Sequence, residues 1–548
     1  MPFYERQPYI SPLHQIVAEV LRGEILIPRF QRPGTEWVPT QRGDLLDSLY
    51  RGFPIGTILL WSTNSPIKTK DVIGGFRIRK ASSRDGQRLL LDGHQRLSTL
   101  VQILGPGLVH DLQLAKMESV VDDTDEASQN EVWVFELNPA KNEKNDAPPK
   151  SRDRFVLLKT GQSPTPTQLP LSHALNRTAL NRWVREQGDK LTEPQVTEVD
   201  ALRDRLREYN IPVAVLAVDS LEDATESFKR INSSGTPMTD FNMVAALAYR
   251  NGFDPQELFE QHRSELLEPI GWQDLPDMDV LRVCAALAQQ HPAKMEVDKL
   301  SQQLAKQDGL IQRAFQAMAD AARLVGELCG ITGPEVLPYS WQLITLAVCL
   351  GSDFFDERSE PRAREAIRRW LWLTTYGEAF AGVNSAIYDR SLTALREMIH
   401  GGTFQAMERD LTKNVRPVLN FDFRAARSKA VALAMARHED GGDLSGTAHR
   451  QLAIGADAIG VLQPSGKRSD WWNRVILTTD SVNSYRTALR SRTAQDSKPE
   501  EDELLAKIGI ARDAQGGLAD LLTARRKAIE ADEREFVTKL GLEWASAV

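Results

Sequence analysis

The run RLLLDGHQRLSTL, from Arg88 to Leu100, sets a carboxylate, an imidazole, an amide and a guanidinium around one glycine. Its three leucines predict a buried strand, Asp92 and Gly93 break it, and Leu97 and Leu100 resume helical spacing. Asp92 therefore ends a strand, and Gln95 and Arg96 fall in the first turn of a helix. Unpaired backbone N–H groups and the helix dipole favour a phosphate at such a turn, and Arg96 adds a charge-assisted fork. Asp92 has the chemistry to hold a magnesium ion or to orient a water. The plainer alternative is a tight turn with an Asp cap and a surface Arg.

Two further runs carry polar groups at element ends. In IPRFQR, from Ile27 to Arg32, Pro28 cannot extend a central ladder, so the residues after it project from a strand end. Gln31 then offers a hydrogen-bonding amide and Arg32 a phosphate-reading guanidinium, ahead of Asp44, Leu45 and the run GFPIG at 52–56. Pairing of Arg32 with Asp44 or Asp47 is the structural alternative. In FKRINSSGTPMTD, from Phe228 to Asp240, a helix ends near Asn232, Gly235 permits a positive φ, and Thr239 or Asp240 caps the next helix. That crossing can bring Asn232 and backbone amides against a ligand, or serve only as helix punctuation.

Near the C-terminus, Asp457, Pro464 and the run WNRVILTTDSVN from Trp472 to Asn483 predict a β-hairpin followed by a helix. Val475–Leu477 is the expected strand and Asp480 the expected cap. Asn483, Arg486 and Arg490 then share one helix face at i, i+3 and i+7, an amide beside two phosphate-binding cations.

The elements that must position these groups follow from periodicity. Strands are expected at 25–28, 57–61, 73–79, 88–92, 132–137, 155–159 and 212–218, with a helix at 41–50 and a capping-box helix start at Ser220. Residues 117–131 and 139–152 read as exposed polar loops. From about Asp240 to Arg437 the pattern is nearly all helical, a Gly/Asp loop spans 438–446, and one or two helices end at Leu540. The fold class is α+β in three domains: 1–250, a helical 251–437, and 438–548.

Composition narrows the class. In 548 residues, 41% are apolar and 26% charged, as in ordinary globular proteins, and the net charge of −8 excludes a uniformly basic nucleic-acid coat. A local basic groove remains compatible with DNA. Cys284, Cys329 and Cys349 lack metal or disulfide spacing and read as reduced core residues. Neither a signal-peptide pattern nor a membrane-length apolar run occurs in the sequence, so a cytoplasmic protein is expected. The arginines at 362, 364, 368 and 369, and the run Arg525-Arg526-Lys527, read as solvated faces or DNA contacts. Trp370, Trp372, Trp471 and Trp472 read as packing residues.

Taken in order, the motifs IPxFQR, PIGTILLW, LDGxQRLxTL and FxRINSxGTxM resemble the N-terminal domain of the GmrSD family of type IV restriction enzymes. The SspE-like phosphorothioate-sensing defence proteins share the pattern. The resemblance covers about Pro8 to Arg250. It implies a ParB/sulfiredoxin-like fold and NTP hydrolysis tied to recognition of modified DNA. The nucleotide-site residues it implies are Gln31, Arg32, Asp92, Gly93, His94, Gln95, Arg96, Asn232 and Gly235, with Asp92 and Arg96 catalytic. His94 departs from the family's usual Gln.

Residues 456–483 are similar to the HNH (ββα-metal) nuclease module that follows this domain in the family. The resemblance implies Asp457 and Asn483 as ligands of Mg2+ or another divalent ion and Asn473 as a loop brace, while Arg486 and Arg490 on the shared helix face read as DNA contacts. Ala458 stands where the family's catalytic His is expected, and an alanine cannot accept a proton from water. The module is then either naturally degenerate or carries a replaced histidine, and His449, nine positions away, is a poor substitute. The implied partners are modified DNA and a nucleoside triphosphate, with GTP, ATP and CTP equally compatible. A homo-oligomer or partner defence proteins stay open. A non-nucleolytic DNA-binding adaptor is the alternative to a restriction nuclease.

Overall fold

The computed structural model describes residues 8–29, 37–64, 67, 69–79, 87–111, 131–139, 151–159, 161–217, 239–250, 253–352, 361–467, 470–478 and 481–545. The chain divides into two compact units, residues 1–247 and 248–548.

The first unit runs β1 (Tyr9–Pro12), α1 (Leu13–Leu21), β2 (Ile25–Leu26), α2 (Pro39–Arg51), β3 (Ile58–Thr63), β4 (Val72–Ile73), β5 (Phe76–Arg77), β6 (Gln87–Asp92) and α3 (His94–Asp111). It continues through β7 (Trp133–Glu136), β8 (Phe155–Leu157), β9 (Gln168–Pro170), α4 (Arg177–Gln187), α5 (Glu193–Glu208) and β10 (Asn210–Ala217). The main sheet has the order β1-β10-β3-β6-β2. β10 lies parallel to β3, β3 antiparallel to β6, and β6 parallel to β2. Its central strands are apolar on both faces, with Leu60, Trp61, Leu89 and Leu90 fully enclosed, because helices cover the sheet. One of them, α1, buries a stripe of Leu13, Ile16, Val17, Val20 and Leu21 and packs against α3. Each such side chain contributes about 1.5–3 kcal/mol when removed from water.

The expected strand at 73–79 is instead a hairpin of two short strands. Gly74 and Gly75, both at positive φ, turn the chain between Ile73 and Phe76. The strands β1 and β9 and the helix α1 escaped the sequence reading. β1 is four residues with mixed exposure, too short for alternation to register, and β9 pairs with β7 in a separate three-stranded sheet.

After α6 (Asp240–Ala248), the second unit is mainly helical: α7 (Pro255–His262), α8 (Asp277–Leu287), α9 (Val297–Lys306), α10 (Leu310–Cys329), α11 (Ser340–Gly351), α12 (Pro361–Tyr376) and α13 (Ser385–Ile399). β11 (Asn414–Val415), α14 (Ala426–Glu439), α15 (Thr447–Gln451), β12 (Ile459–Val461) and β13 (Arg474–Ile476) follow. The unit ends with α16 (Val482–Thr493), α17 (Pro499–Lys507), α18 (Leu518–Leu540) and β14 (Glu543–Trp544). Three domains are expected from the sequence, whereas here 251–437 and 438–548 fall in one unit. The reason lies in α18, which packs on both α12 and α14. Its Glu533, almost completely enclosed, pairs with Arg427 of α14 at 3.4 Å. The last segment also has a core of its own, built on Leu462, Val475, Tyr485, Leu489, Leu505 and Leu521.

Arg525, expected on a surface, is instead fully buried. It donates to the carbonyls of Ile508 and Trp472, each at 2.6 Å, and so ties α18 to the segment before β13. Arg364 pairs with Glu327 at 2.7 Å and Arg368 with Glu365 at 2.8 Å, so these cations are neutralised within the unit. Trp370, Trp372 and Trp471 are buried packing residues. The three cysteines are free and buried, and enclosure pushes the thiols of Cys284 and Cys329 up to about 12 and that of Cys349 to about 11. Among the described residues no helix is long and apolar enough to cross a membrane.

Candidate functional site

The strand β6 ends at Asp92, Gly93 turns the chain, and α3 begins at His94. Gly93 has a φ of 95°, and a β-carbon on it would meet Cδ1 of Ile58 at 2.5 Å, so only glycine fits both the turn and the contact. The ladder is irregular here: Leu59 faces Asp92 while Leu60 faces Leu90, which leaves Leu91 as an extra residue. A bulge of this kind twists a strand locally and re-aims the side chain that follows.

Arg96 joins three segments. Its guanidinium donates to Oδ2 of Asp92 at 3.0 Å and to the carbonyls of Ile55 at 2.5 Å and Thr57 at 3.2 Å. The GFPIG run and the LDGHQR run, separate in sequence, are thus brought together by one side chain. Three of the five guanidinium N–H groups are used in this clasp. Gly56, at φ 88°, leaves the room Arg96 occupies.

From the other side, the Tyr209 hydroxyl donates to the Phe53 carbonyl at 2.6 Å and accepts from the Ile55 N–H at 3.1 Å. Sequence reasoning missed Tyr209. Its only signal is an aromatic hydroxyl directly before the apolar strand β10. The loop borders an open cavity of about 780 Å³ whose wall includes Arg51, Ile55, Gly56, Thr57, Arg205 and Tyr209. His94 is buried beside the turn, and desolvation, with a smaller contribution from the Lys70 charge, pulls its pKa down to about 3. The imidazole is therefore neutral and adds no charge to the site.

Gln31, Arg32, Asn232 and Gly235 lie outside the described residues, as do the helix start at Ser220 and the cap position Asp480. The alternative partners considered for Arg32 have partners already. Asp44 pairs with Arg152 at 3.0 Å, and Asp47 pairs with Arg51 at 3.6 Å. Thr239 caps α6 by accepting from the Asn242 N–H at 3.2 Å.

In the second unit, β12 and β13 form an antiparallel hairpin, with Gly460 opposite Val475, and α16 follows it. A β-carbon on Gly460 would run into Cγ2 of Val482, so the glycine lets α16 settle on the hairpin. The cap of α16 is Ser481, which accepts from the Ser484 N–H. The strand begins at Arg474 and ends at Ile476, one residue earlier at each end than the sequence suggests.

Asn473 grips the loop after β12 in both directions. Its Oδ1 accepts from the Gln463 N–H at 2.8 Å, and its Nδ2 donates to the Gln463 carbonyl at 3.0 Å. Arg486 donates to the carbonyls of Leu462 at 3.1 Å and Val461 at 2.7 Å, and to Oδ1 of Asn483 at 3.3 Å. Asn483, Arg486 and Arg490 line one cavity of about 630 Å³ together with Gln463, Ser465 and Thr487. The described wall carries two guanidinium groups and no carboxylate, which suits a phosphate backbone.

The residues present do not fit a metal centre of the expected kind. Asp457 is exposed and is not on that wall, and the side chain of Ala458 is fully enclosed and offers no donor. The amide oxygen of Asn483 already faces the Arg486 cation. Among the described residues, no group of three or more His, Cys, Asp or Glu side chains is placed to hold a metal ion. His449 is not placed to act as the base that the sequence analysis expects at position 458. It is buried, its Nδ1 pairs with Asp440 at 2.9 Å, and its other edge packs so closely on Gly330 that a β-carbon there would meet Nε2 at 2.7 Å.

Residues 13–249 match the family model of the GmrSD restriction endonuclease, N-terminal domain. The match spans less than half of the chain and makes the N-terminal unit similar to that domain. No curated protein matches the chain.

Proposed function

We propose that this chain is a nucleotide-regulated, modification-dependent DNA restriction factor of bacterial anti-phage defence. The observation that carries the reading is the Arg96 clasp, which joins two GmrSD-type motifs beside an open, arginine-bearing cavity. In this reading a nucleoside triphosphate binds at the turn after β6, with its phosphates on the α3 N-terminus and on the remaining N–H groups of Arg96. Asp92 holds the accompanying divalent ion or orients water, and Gln31, Arg32, Asn232 and Gly235 complete the site. The N-terminal fold is ParB/sulfiredoxin-like, and the ββα module is an HNH relative that grips the DNA backbone through Arg486 and Arg490. With Ala458 in place of a general base, this chain binds DNA without efficient hydrolysis.

A second reading is a non-nucleolytic DNA-binding adaptor in the cytoplasm. It is favoured by one observation: the Ala458 side chain is fully enclosed, so an imidazole there must displace its surroundings.

The test compares DNA cleavage by this chain and by Ala458→His, with magnesium or manganese and NTP, on modified and unmodified phage DNA. Cleavage gained only with His supports the restriction reading. DNA binding without cleavage by either protein on any substrate moves the assignment to the adaptor.

A further inference from the structure

The chain around the β4–β5 hairpin lies along one face of α3. A β-carbon on Gly105 would meet the Phe76 ring at 3.1 Å, and one on Gly74 would meet the Ser98 carbonyl at 2.8 Å. From Phe76 back to Gly74 the contacts thus move toward the N-terminus of the helix, and Lys70 comes level with its first residue, His94. The Lys70 charge is accordingly felt at the His94 imidazole.

Lys70 is fixed from the sheet side as well. Its N–H donates to the Ile27 carbonyl at 2.8 Å, and Thr69 bridges Pro28. β2 runs parallel to β6 with Leu26 beside Leu89, so Ile27 and Pro28 continue toward the end of β6, where Asp92 stands. Ligands of α/β sheets gather at such carboxyl ends. In the sheet, β6 lies between β3 and β2. The Arg96 clasp reaches the loop entering β3 and Lys70 is tied to the end of β2, so the two cations flank the turn at Gly93 from opposite sides.

A lysine here is misplaced unless an anion joins it. The N-terminus of a helix carries partial positive charge, which favours anions and disfavours cations. The first turn of α3 has no acidic residue, the buried His94 is neutral, and Asp92 is engaged by Arg96. Asp71, next in the chain, is exposed, where an ion pair is worth little. A phosphate resolves the arrangement, because it balances the lysine and accepts from first-turn N–H groups, which have no acceptor inside the helix.

We propose that Lys70 binds the phosphate chain of the nucleoside triphosphate, on the side of the turn away from the Arg96 clasp. The proposal rests on the nucleotide reading above and adds to it a residue outside the motifs that suggested that reading. An ammonium is a compact charge with three N–H donors on a flexible stem, so it can follow phosphate oxygens where the braced Arg96 fork cannot.

The experiment is equilibrium dialysis of the full chain, with Lys70, Lys70→Gln or Lys70→Arg, against GTP, ATP and CTP with magnesium, each beside its nucleoside. Lys70→Gln is expected to weaken triphosphate binding at least about tenfold, the loss of one charge-assisted hydrogen bond, and to leave the nucleoside unchanged. Lys70→Arg keeps the cation and is expected to recover most of the affinity. A lysine that only secured the hairpin on α3 would, when replaced, weaken both probes alike and lower the melting temperature. That outcome, or unchanged triphosphate affinity in Lys70→Gln, overturns the proposal and leaves the nucleotide reading standing. No binding of any triphosphate by the native chain overturns the nucleotide reading and the proposal with it. Lys70→Met, which keeps the apolar stem, serves as the second variant if Lys70→Gln does not fold.

Discussion

A β-carbon on Gly56 would lie 2.5 Å from Nη1 of Arg96, so the guanidinium occupies the space that a side chain at residue 56 would take. Gly56→Ala is therefore expected to act on the proposed nucleotide site without touching a ligand. It forces an L-residue to φ 88° and displaces the guanidinium from the carbonyls on either side. The expected cost is about 1–3 kcal/mol of unfolding free energy. A drop of about tenfold or more in NTP hydrolysis should accompany it. Chemical denaturation and a phosphate-release assay read the two effects, and wild-type values in both would detach the clasp from the nucleotide site.

Arg96→Ala removes the clasp itself and is expected to abolish NTP hydrolysis while the fold persists, since the guanidinium is not part of the apolar core. Arg96→Lys should recover little, because one ammonium cannot reach Asp92 and both carbonyls with the geometry of a planar fork. Normal hydrolysis by Arg96→Ala would show that nucleotide chemistry lies elsewhere.

His94 predicts a pH dependence with a definite sign. Its folded pKa of about 3 lies below its unfolded value of 6.5, so below pH 6.5 the unfolded chain binds a proton that the folded chain refuses. The His94 contribution to stability is present above pH 6.5 and is lost progressively as the pH falls toward about 3. At pH 5 the loss is on the order of 2 kcal/mol. His94→Gln is expected to flatten the stability profile between pH 6.5 and pH 4 in urea titrations. An unchanged slope would mean that the imidazole titrates in the folded chain.

The cavity beneath α16 predicts a salt effect. Arg490→Ala is expected to weaken DNA binding similarly across sequences and to reduce the slope of log affinity against log salt by about 1. Fluorescence anisotropy at several salt concentrations measures it, and an unaltered slope would remove Arg490 from the phosphate contacts.

Asn473→Ala is expected to cost stability where Arg490→Ala does not. Removing the amide leaves the Gln463 N–H without its acceptor and the Gln463 carbonyl with only the Gly466 N–H. The stranded N–H alone costs about 1–3 kcal/mol. A thermal shift no larger than that of Arg490→Ala would show that the loop finds other partners.

The sequence was most informative where local chemistry and periodicity agree. Three leucines, an Asp-Gly break and resumed helical spacing placed β6, the turn and α3, and the hairpin and helix around residues 459–493 followed from similar signals. What it could not show is convergence. Nothing local to Gly56 says that Arg96 will occupy the space above it, and nothing in Tyr209 says that its hydroxyl will hold Phe53 and Ile55. Arg525 misled for the opposite reason: three consecutive basic residues read as a surface, yet tertiary packing took the first into the core, where two carbonyls receive it. Asp480 is the cap that the sequence suggests for α16, whereas Ser481 holds that place, and both residue types favour it.

The deep enclosure of Cys284, Cys329 and Cys349, with thiols held at about 11 to 12, has a practical consequence for watching the molecule at work. At neutral pH almost none of their sulfur is thiolate, so maleimide dyes should pass them by. A single cysteine introduced at exposed Lys299, which lines neither candidate site, would then take one fluorophore on the native background, without first stripping the chain of its own sulfhydryls.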